Sequence, residues 1–321
     1  MAEGRVLSLQ SHVVHGYVGN KSATFPLQVL GLEVDAINSV QFSNHTGYPH
    51  FKGQVMNAEQ LEELMEGLHL NGISSGLYTH LLTGYVGSES FLRAVEKTVH
   101  TLKKNNPGLL YVCDPVMGDN GRMYVPAELL PVYRDNIVPL ADIITPNQYE
   151  AELLSGLIIK EERDVAAVMS WFHNKGVKTV VLSSTDLGST SELICIASTK
   201  NTDGSLTQLR IAIPRFPVNF TGTGDLFASL LLGWLHRTHD QLKMSVENTV
   251  ATMQSVLSAT VEHALASTCK NSGAVPPAVG TAEYNARLAS LTKRDLELRL
   301  VQSLDQIRNP KPSIRAVITR L

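Results

Sequence analysis

Short apolar runs alternate with longer stretches of helical periodicity along most of this chain. Runs at 6–9, 34–40, 77–82, 109–113, 142–144, 177–182, 192–197 and 206–213 have the length of strands. Between most of them, at 58–68, 88–104, 148–155 and 161–174, apolar residues recur with the period of a helix. This alternation predicts an α/β chain with a mainly parallel sheet and helices on both faces. Residues 192–213 depart from it. Two strand runs meet there across the turn-rich Asn201-Thr202-Asp203-Gly204, which predicts an antiparallel hairpin. After Asp225 the chain reads as helical over 226–236 and 243–267, with a loop at 272–277. No linker is long enough to divide the sequence and no repeat is visible, so one domain over 1–321 is expected.

In an open parallel sheet, ligands bind beyond the carboxyl ends of the strands. Nearly every strand run here leads into polar residues. The run at 6–9 leads to Ser11 and His12, that at 77–82 to Thr83-Gly84-Tyr85, and that at 109–113 to Asp114-Pro115-Val116-Met117-Gly118-Asp119. The runs at 142–144 and 177–182 lead to Thr145-Pro146-Asn147-Gln148-Tyr149-Glu150 and Ser183-Ser184-Thr185-Asp186. Strand ends are polar in any protein, so the weight lies in their convergence on one edge. That edge suits a polar, phosphorylated ligand with a divalent metal.

The segment Thr221-Gly222-Thr223-Gly224-Asp225 carries the sharpest signal. Its glycines allow a tight turn and close approach of a ligand, because neither has a Cβ. The apolar helix that follows presents unpaired N–H groups and the positive end of its dipole, an anion site most often used for phosphate. Asp225 has two readings. As a helix-start residue it would contribute roughly 0.3–1 kcal/mol through the dipole. As a base it would take a proton from an attacking hydroxyl, and the same dipole is expected to keep it ionised.

Asp114 and Asp119 flank a Pro–Gly turn, which is turn chemistry or the one or two carboxylates that Mg²⁺ takes alongside water. Asn147 and Glu150 stand at a helix start. They read equally as caps or as two groups on one face holding a metal-bound water. In the stretch from Gln41 to Phe51, hydroxyl, imidazole and aromatic groups follow a strand. They suggest a loop touching a flat polar heterocycle, with an exposed hairpin as the plainer reading.

Composition narrows the field. Hydrophobic residues at 43% and charged residues at 18% describe an ordinary soluble globular protein, and a formal charge of -3 gives no footprint for nucleic acid. No apolar run reaches the length of a membrane span, and Met1-Ala2-Glu3-Gly4-Arg5 leads straight into the first strand run without a targeting segment. Cys113, Cys195 and Cys269 are too few and scattered for a disulfide framework or a zinc site. A reduced, cytoplasmic protein is expected. The absence of G-x-x-x-x-G-K-[ST] excludes a P-loop kinase.

In this order the motifs resemble the pyridoxal kinases, the vitamin B6 kinases of the ribokinase-like superfamily. The likeness runs through Ser8-Leu9-Gln10-Ser11-His12, Gly16-Tyr17-Val18-Gly19-Asn20, Ser43-Asn44-His45-Thr46-Gly47-Tyr48 and Leu82-Thr83-Gly84-Tyr85. It continues in Cys113-Asp114-Pro115-Val116-Met117-Gly118-Asp119, Thr145-Pro146-Asn147-Gln148-Tyr149-Glu150 and Gly222-Thr223-Gly224-Asp225-Leu226-Phe227. The Gly-Thr-Gly-Asp and Asn-x-x-Glu elements belong to the whole superfamily. The Ser43–Tyr48 loop and Ser11 point to B6 vitamers.

The resemblance implies a three-layer α/β/α fold, a homodimer, and ATP-dependent phosphorylation of the 5′-hydroxyl of pyridoxal, pyridoxine and pyridoxamine. It makes Asp225 the base and Gly222, Thr223 and Gly224 the anion hole. Ser11 and Thr46 would contact the polar groups of the ring, within a pocket of Val18, Val40, Phe42, His45 and Tyr85. Asp114, Asn147 and Glu150 would form the ATP–Mg²⁺ site, with Tyr124, Ser183, Ser184, Phe216, Phe220 and Thr223 completing the ATP contacts. Asp119, Thr145 and Ser183 would line a monovalent-cation region for K⁺ or Na⁺, beside the metal ligands Asp114 and Glu150. Ser183-Ser184 stands where relatives have Thr-Ser, which keeps a hydroxyl. Two rivals differ in class: a related kinase of hydroxymethylpyrimidine or a sugar, and a non-catalytic vitamer-binding relative. A sugar pocket would be rich in Asp, Asn and Lys, unlike the aromatic set here.

Overall fold

The computed structural model describes residues 3–272 and 277–319. Residues 273–276, the body of the loop expected at 272–277, and residues 1–2 lie outside the described residues. The first strands are β1 (Arg5–Val13), β2 (Glu33–Phe42), β3 (Gly53–Val55), β4 (His80–Thr83), β5 (Leu110–Cys113), β6 (Gly118–Asp119) and β7 (Arg122–Met123). They are followed by β8 (Ile143–Ile144), β9 (Thr179–Thr185), β10 (Glu192–Lys200), β11 (Leu206–Pro214) and β12 (Val317–Thr319). The helices are α1 (Asn20–Val29), α2 (Ala58–Leu70), α3 (Glu89–Asn105), α4 (Leu129–Val132) and α5 (Gln148–Ser155). The second half adds α6 (Glu162–Asn174), α7 (Thr223–Thr238), α8 (Leu242–Ser272), α9 (Ala282–Ser290) and α10 (Leu304–Arg308).

One sheet runs in the order β12-β11-β10-β9-β8-β5-β4-β1-β2-β3. Its centre, from β9 to β2, is parallel, and antiparallel strands flank it on both sides. Successive residues of a strand face opposite sides, and the sequence exploits this. Leu7, Leu81, Tyr111, Val180 and Ile196 enter one core with α2 to α6. Their neighbours Val6, Leu82, Val112, Val181 and Ala197 enter a second core with α1, α7, α8 and α10. The result is the three-layer α/β/α arrangement. Each fully buried Leu or Phe contributes about 1.5–3 kcal/mol, which is why short runs of such residues suffice to define the central strands.

Every expected strand and helix is present within a few residues, and 192–213 is the antiparallel hairpin β10–β11. The strand expected at 77–82 begins later, at His80, because Leu77 is exposed ahead of the sheet. Helix α1 was not expected from periodicity: its N-cap Gly19 supplies no side chain and Pro26 lies inside it. The short strands β3, β6, β7 and β12 and the helices α4, α9 and α10 were also outside the pattern reading. Cys113 and Cys195 are buried on opposite faces of the sheet, and Cys269 is buried as well. No helix among the described residues is long and apolar enough to cross a membrane.

Candidate active site

The strand order doubles back at β1, with β2 on one side and β4 on the other. That is the switch point at which an open sheet leaves a crevice at its carboxyl edge. Ser11 lies near the end of β1, beside a bulge: β2 carries one extra residue between the pairs Gln10–Asn38 and His12–Gln41. Such bulges re-aim side chains next to sites. Asp114 follows β5, Thr145 follows β8, and Ser183 and Ser184 lie in β9, so the expected groups line one edge.

Helix α7 starts where the glycine turn predicts. Gly222 is its N-cap with φ 83°, a left-handed conformation that L side chains rarely adopt, and a Cβ there would run into the Tyr17 carbonyl oxygen. The first helical N–H groups have no intrahelical acceptor. Asp225 stands in the same first turn, and its Oδ2 accepts the Gly19 N–H at 2.8 Å. Gly19 in turn sits so closely against Ser11 that a Cβ would strike the Ser11 carbonyl and hydroxyl. Ser11, Gly19 and Asp225 are thus one contiguous unit, although 206 residues separate the last two. The helix dipole does not set the charge of Asp225 by itself. Burial pushes its carboxyl up to about 6, against the lowering effect of the Gly19 N–H.

Beside it, Asp114 is buried with its Oδ2 unpartnered, 3.6 Å from where a Cβ of Gly224 would stand. Its Oδ1 accepts the Thr145 hydroxyl at 3.3 Å. Burial first, then the charges of Glu150 and Asp225, hold its carboxyl well above the usual range. Asn147 and Glu150 realise the capping alternative. Asn147 Oδ1 accepts the Glu150 N–H at 2.9 Å, and Glu150 Oε2 accepts the Asn147 N–H at 3.0 Å. Glu150 Oε1 also accepts the N–H groups of Met117 at 2.9 Å and Gly118 at 3.3 Å, so the pair ties the turn after Asp114 to α5. Burial still pushes Glu150 up to about 7. Asp119 lies apart on the exposed β6–β7 hairpin, its carboxylate turned onto Asn120. No cluster of three His, Cys, Asp or Glu among the described residues forms a ready metal cage.

At the other end of the crevice, Val18 and Val40 are buried and Tyr85 is half-buried. The stretch from Gln41 to Phe51 closes the β2–β3 hairpin, with Gln41 and Phe42 at the end of β2 and a loop from Ser43 onward. Phe42 packs on Phe51 with ring centroids 5.2 Å apart. His45 is buried and its Nδ1 accepts the Gly47 N–H at 3.1 Å, which leaves the ring proton on Nε2. Thr46 is exposed, and a Cβ at its neighbour Gly47 would lie 3.8 Å from Thr221 Oγ1. The loop therefore reaches the glycine turn. Residue reasoning missed Glu297. It accepts from Tyr48 and Tyr17, and no local pattern in the sequence could have exposed a contact across 249 or 280 residues.

On the remaining side, Phe216 and Phe220 pack edge to face at 5.7 Å, between the second core and α9. Tyr124 is exposed, and Ser183 donates its N–H to the Pro146 carbonyl at 3.0 Å. Arg215 pairs with Asp186 across this side.

The family model for phosphomethylpyrimidine kinase matches residues 36–275. The pyridoxal kinase of Sus scrofa is 49% identical over 99% of this chain and 96% of its own. That of Bos taurus is 49% identical over 98% of this chain and 99% of its own. Among solved structures, the pyridoxal kinase of Leishmania donovani in complex with ADP and pyridoxamine superposes with a TM-score of 0.86. It shares 34% identity, covering 99% of this chain and 100% of that one.

Proposed function

This chain belongs to the pyridoxal kinase family, and we propose that it transfers the γ-phosphoryl group of ATP to the 5′-hydroxyl of B6 vitamers. The observation that carries the mechanism is the Ser11–Gly19–Asp225 unit at the start of α7. The hydroxyl oxygen attacks the γ-phosphorus, the bond to the β-phosphate oxygen breaks, ADP departs, and Asp225 receives the hydroxyl proton. A carboxyl near 6 is mostly ionised at neutral pH yet basic enough to accept that proton. The N–H groups of Gly222, Thr223 and Gly224 receive the oxygens of the group in flight, since such transfer depends on positioning and charge stabilisation.

Asp114 fits a divalent ion. Its free Oδ2 stands in a crevice crowded by Glu150 and Asp225, where added positive charge relieves repulsion. Mg²⁺, when bound there, neutralises the phosphates through water and a single carboxylate. Glu150 and Asn147 contribute by holding the 117–118 turn, and Asp119, Thr145 and Ser183 belong to the same reading as the monovalent-cation region. Ser11 and Thr46 orient the ring between Val18, Val40, Phe42, His45 and Tyr85. Tyr124, Ser184, Phe216 and Phe220 serve the nucleotide. The whole chain acts as one kinase domain, and a homodimer in a reducing cytoplasm is part of this proposal; the burial of Cys113 and Cys195 on opposite faces of the sheet suits a reduced protein.

A coupled ADP-release assay tests the substrate class. Pyridoxal should support turnover far above hydroxymethylpyrimidine and ribose. A preference for hydroxymethylpyrimidine would move the chain to the related kinase, and no release with any acceptor would make it a non-catalytic binder.

A further inference from the structure

We propose that Glu297 is a positioning residue that locks the loop over the vitamer ring to the turn that orients Asp225. The inference rests on the phosphotransfer reading above. Glu297 lies in the segment after α9, where Leu296, Leu298 and Leu300 are buried and fix the direction of the chain. Its neighbour Arg299 donates its N–H to Thr260 Oγ1 at 3.1 Å, anchoring the segment to α8. The carboxylate, 13% exposed, is surrounded by donors. Oε1 accepts the Tyr48 hydroxyl at 2.8 Å and lies 3.4 Å from the protonated Nε2 of His45. Oε2 accepts the Tyr17 N–H at 3.1 Å.

The backbone bonds from Val14 N–H to the Phe42 carbonyl at 2.8 Å and from His15 N–H to the Ser43 carbonyl at 2.9 Å join these two loops at their bases, and the Glu297 contacts join them again farther out, at Tyr17 and Tyr48. Tyr48 and His45 belong to the ring-binding loop; Tyr17 belongs to the turn whose Gly19 holds Asp225 and whose Tyr17 carbonyl backs Gly222. Gly16 leaves room for the carboxylate, since a Cβ there would occupy its position. Burial works against the charge, but the hydrogen bonds from His45 and Tyr48 and from the Tyr17 N–H hold the carboxyl below its ordinary range. Only an acceptor at both oxygens satisfies the set. A Gln would turn an NH₂ toward one group of donors, and an Asp would fall one methylene short.

The test is a comparison of steady-state constants for Glu297→Gln, Tyr48→Phe and their double variant, with melting temperatures. Glu297→Gln should raise the KM for pyridoxal about tenfold, the scale of a lost charged hydrogen bond, and leave the KM for ATP within about twofold. Tyr48→Phe should raise the pyridoxal KM by about two- to threefold, and the double variant should match Glu297→Gln, because both changes break one clamp. A residue that only stabilises would lower the melting temperature and leave both KM values alone. Parallel rises in both KM values, or a pyridoxal KM within twofold of wild type, overturn the proposal. If Glu297→Gln does not fold, Tyr48→Phe decides: an unmoved pyridoxal KM overturns it. Wild-type protein that releases no ADP with pyridoxal sinks the phosphotransfer reading itself, and this proposal with it.

Discussion

Around His45 and Tyr48, the crevice is built from satisfied contacts: a carboxylate meets three donors, an imidazole has both nitrogens engaged, and the aromatic rings pack on one another. Around Asp114 and Asp225 the arrangement is the reverse. Three carboxyls crowd together, all pushed above their ordinary values by burial, and Asp114 Oδ2 has no partner at all. A neutral ring is recognised by shape and by donors already in place. A polyanion arriving with cations needs charge left unbalanced in advance, and the protein bears that cost in its folded state.

The sharpest attempt to break this contrast is Asp225→Asn. It keeps shape and removes the base, so kcat should fall by roughly 10²–10⁴-fold, while both KM values change far less. Turnover within a few-fold of wild type, measured on folded enzyme, would return Asp225 to a helix-start residue.

Asp114→Asn probes the unbalanced charge directly. The Mg²⁺ concentration for half-maximal rate should rise about tenfold or more, with the pyridoxal KM unmoved. Its melting temperature at neutral pH should rise. A carboxyl raised in the folded state loses stability as the pH climbs from the ordinary value, where the unfolded chain releases its proton, toward the raised one; neutral pH lies above the start of that window, so the neutral amide removes a penalty. A lower melting temperature with unchanged Mg²⁺ response would make Asp114 structural.

The pH profile refines the same end. Asp225 must be ionised to accept a proton, so kcat/KM should fall about tenfold per unit below a pH of about 6. The limb should vanish in the residual activity of Asp225→Asn, and its persistence there would assign it to another group.

The ring end should respond most mildly. Ser11→Ala removes one hydrogen bond of about 1 kcal/mol net, so the pyridoxal KM should rise several-fold with the ATP KM unchanged. No change would leave Ser11 as the residue that backs Gly19.

The parallel core was legible because strands buried on both faces are short apolar runs, and 6–9 or 109–113 could be little else. The glycine turn was legible because Gly222 needs its φ of 83°. Other features were hidden by the limits of local pattern. Helix α1 carries Pro26 and no side-chain cap. Asn147 and Glu150 suited a cap and a metal equally in sequence, and the capping box is what their backbone neighbours complete. Burial raises the Asp225 carboxyl, and burial is a property of the assembled sheet. Glu297 lay wholly beyond reach, because its partners are set by tertiary closure.

That closure has a consequence for biosynthesis. Ser11 and Gly19 emerge from the ribosome early, and the parallel core from β1 to β9 is complete once residue 185 is free to pair. The bond from Tyr17 to Glu297 spans 280 residues and forms only once Glu297 itself has been made. Contacts of such separation are late in folding. A ribosome stalled after α8 should therefore carry a nascent chain with its parallel sheet paired and the loop at 43–51 still without its Glu297 contacts.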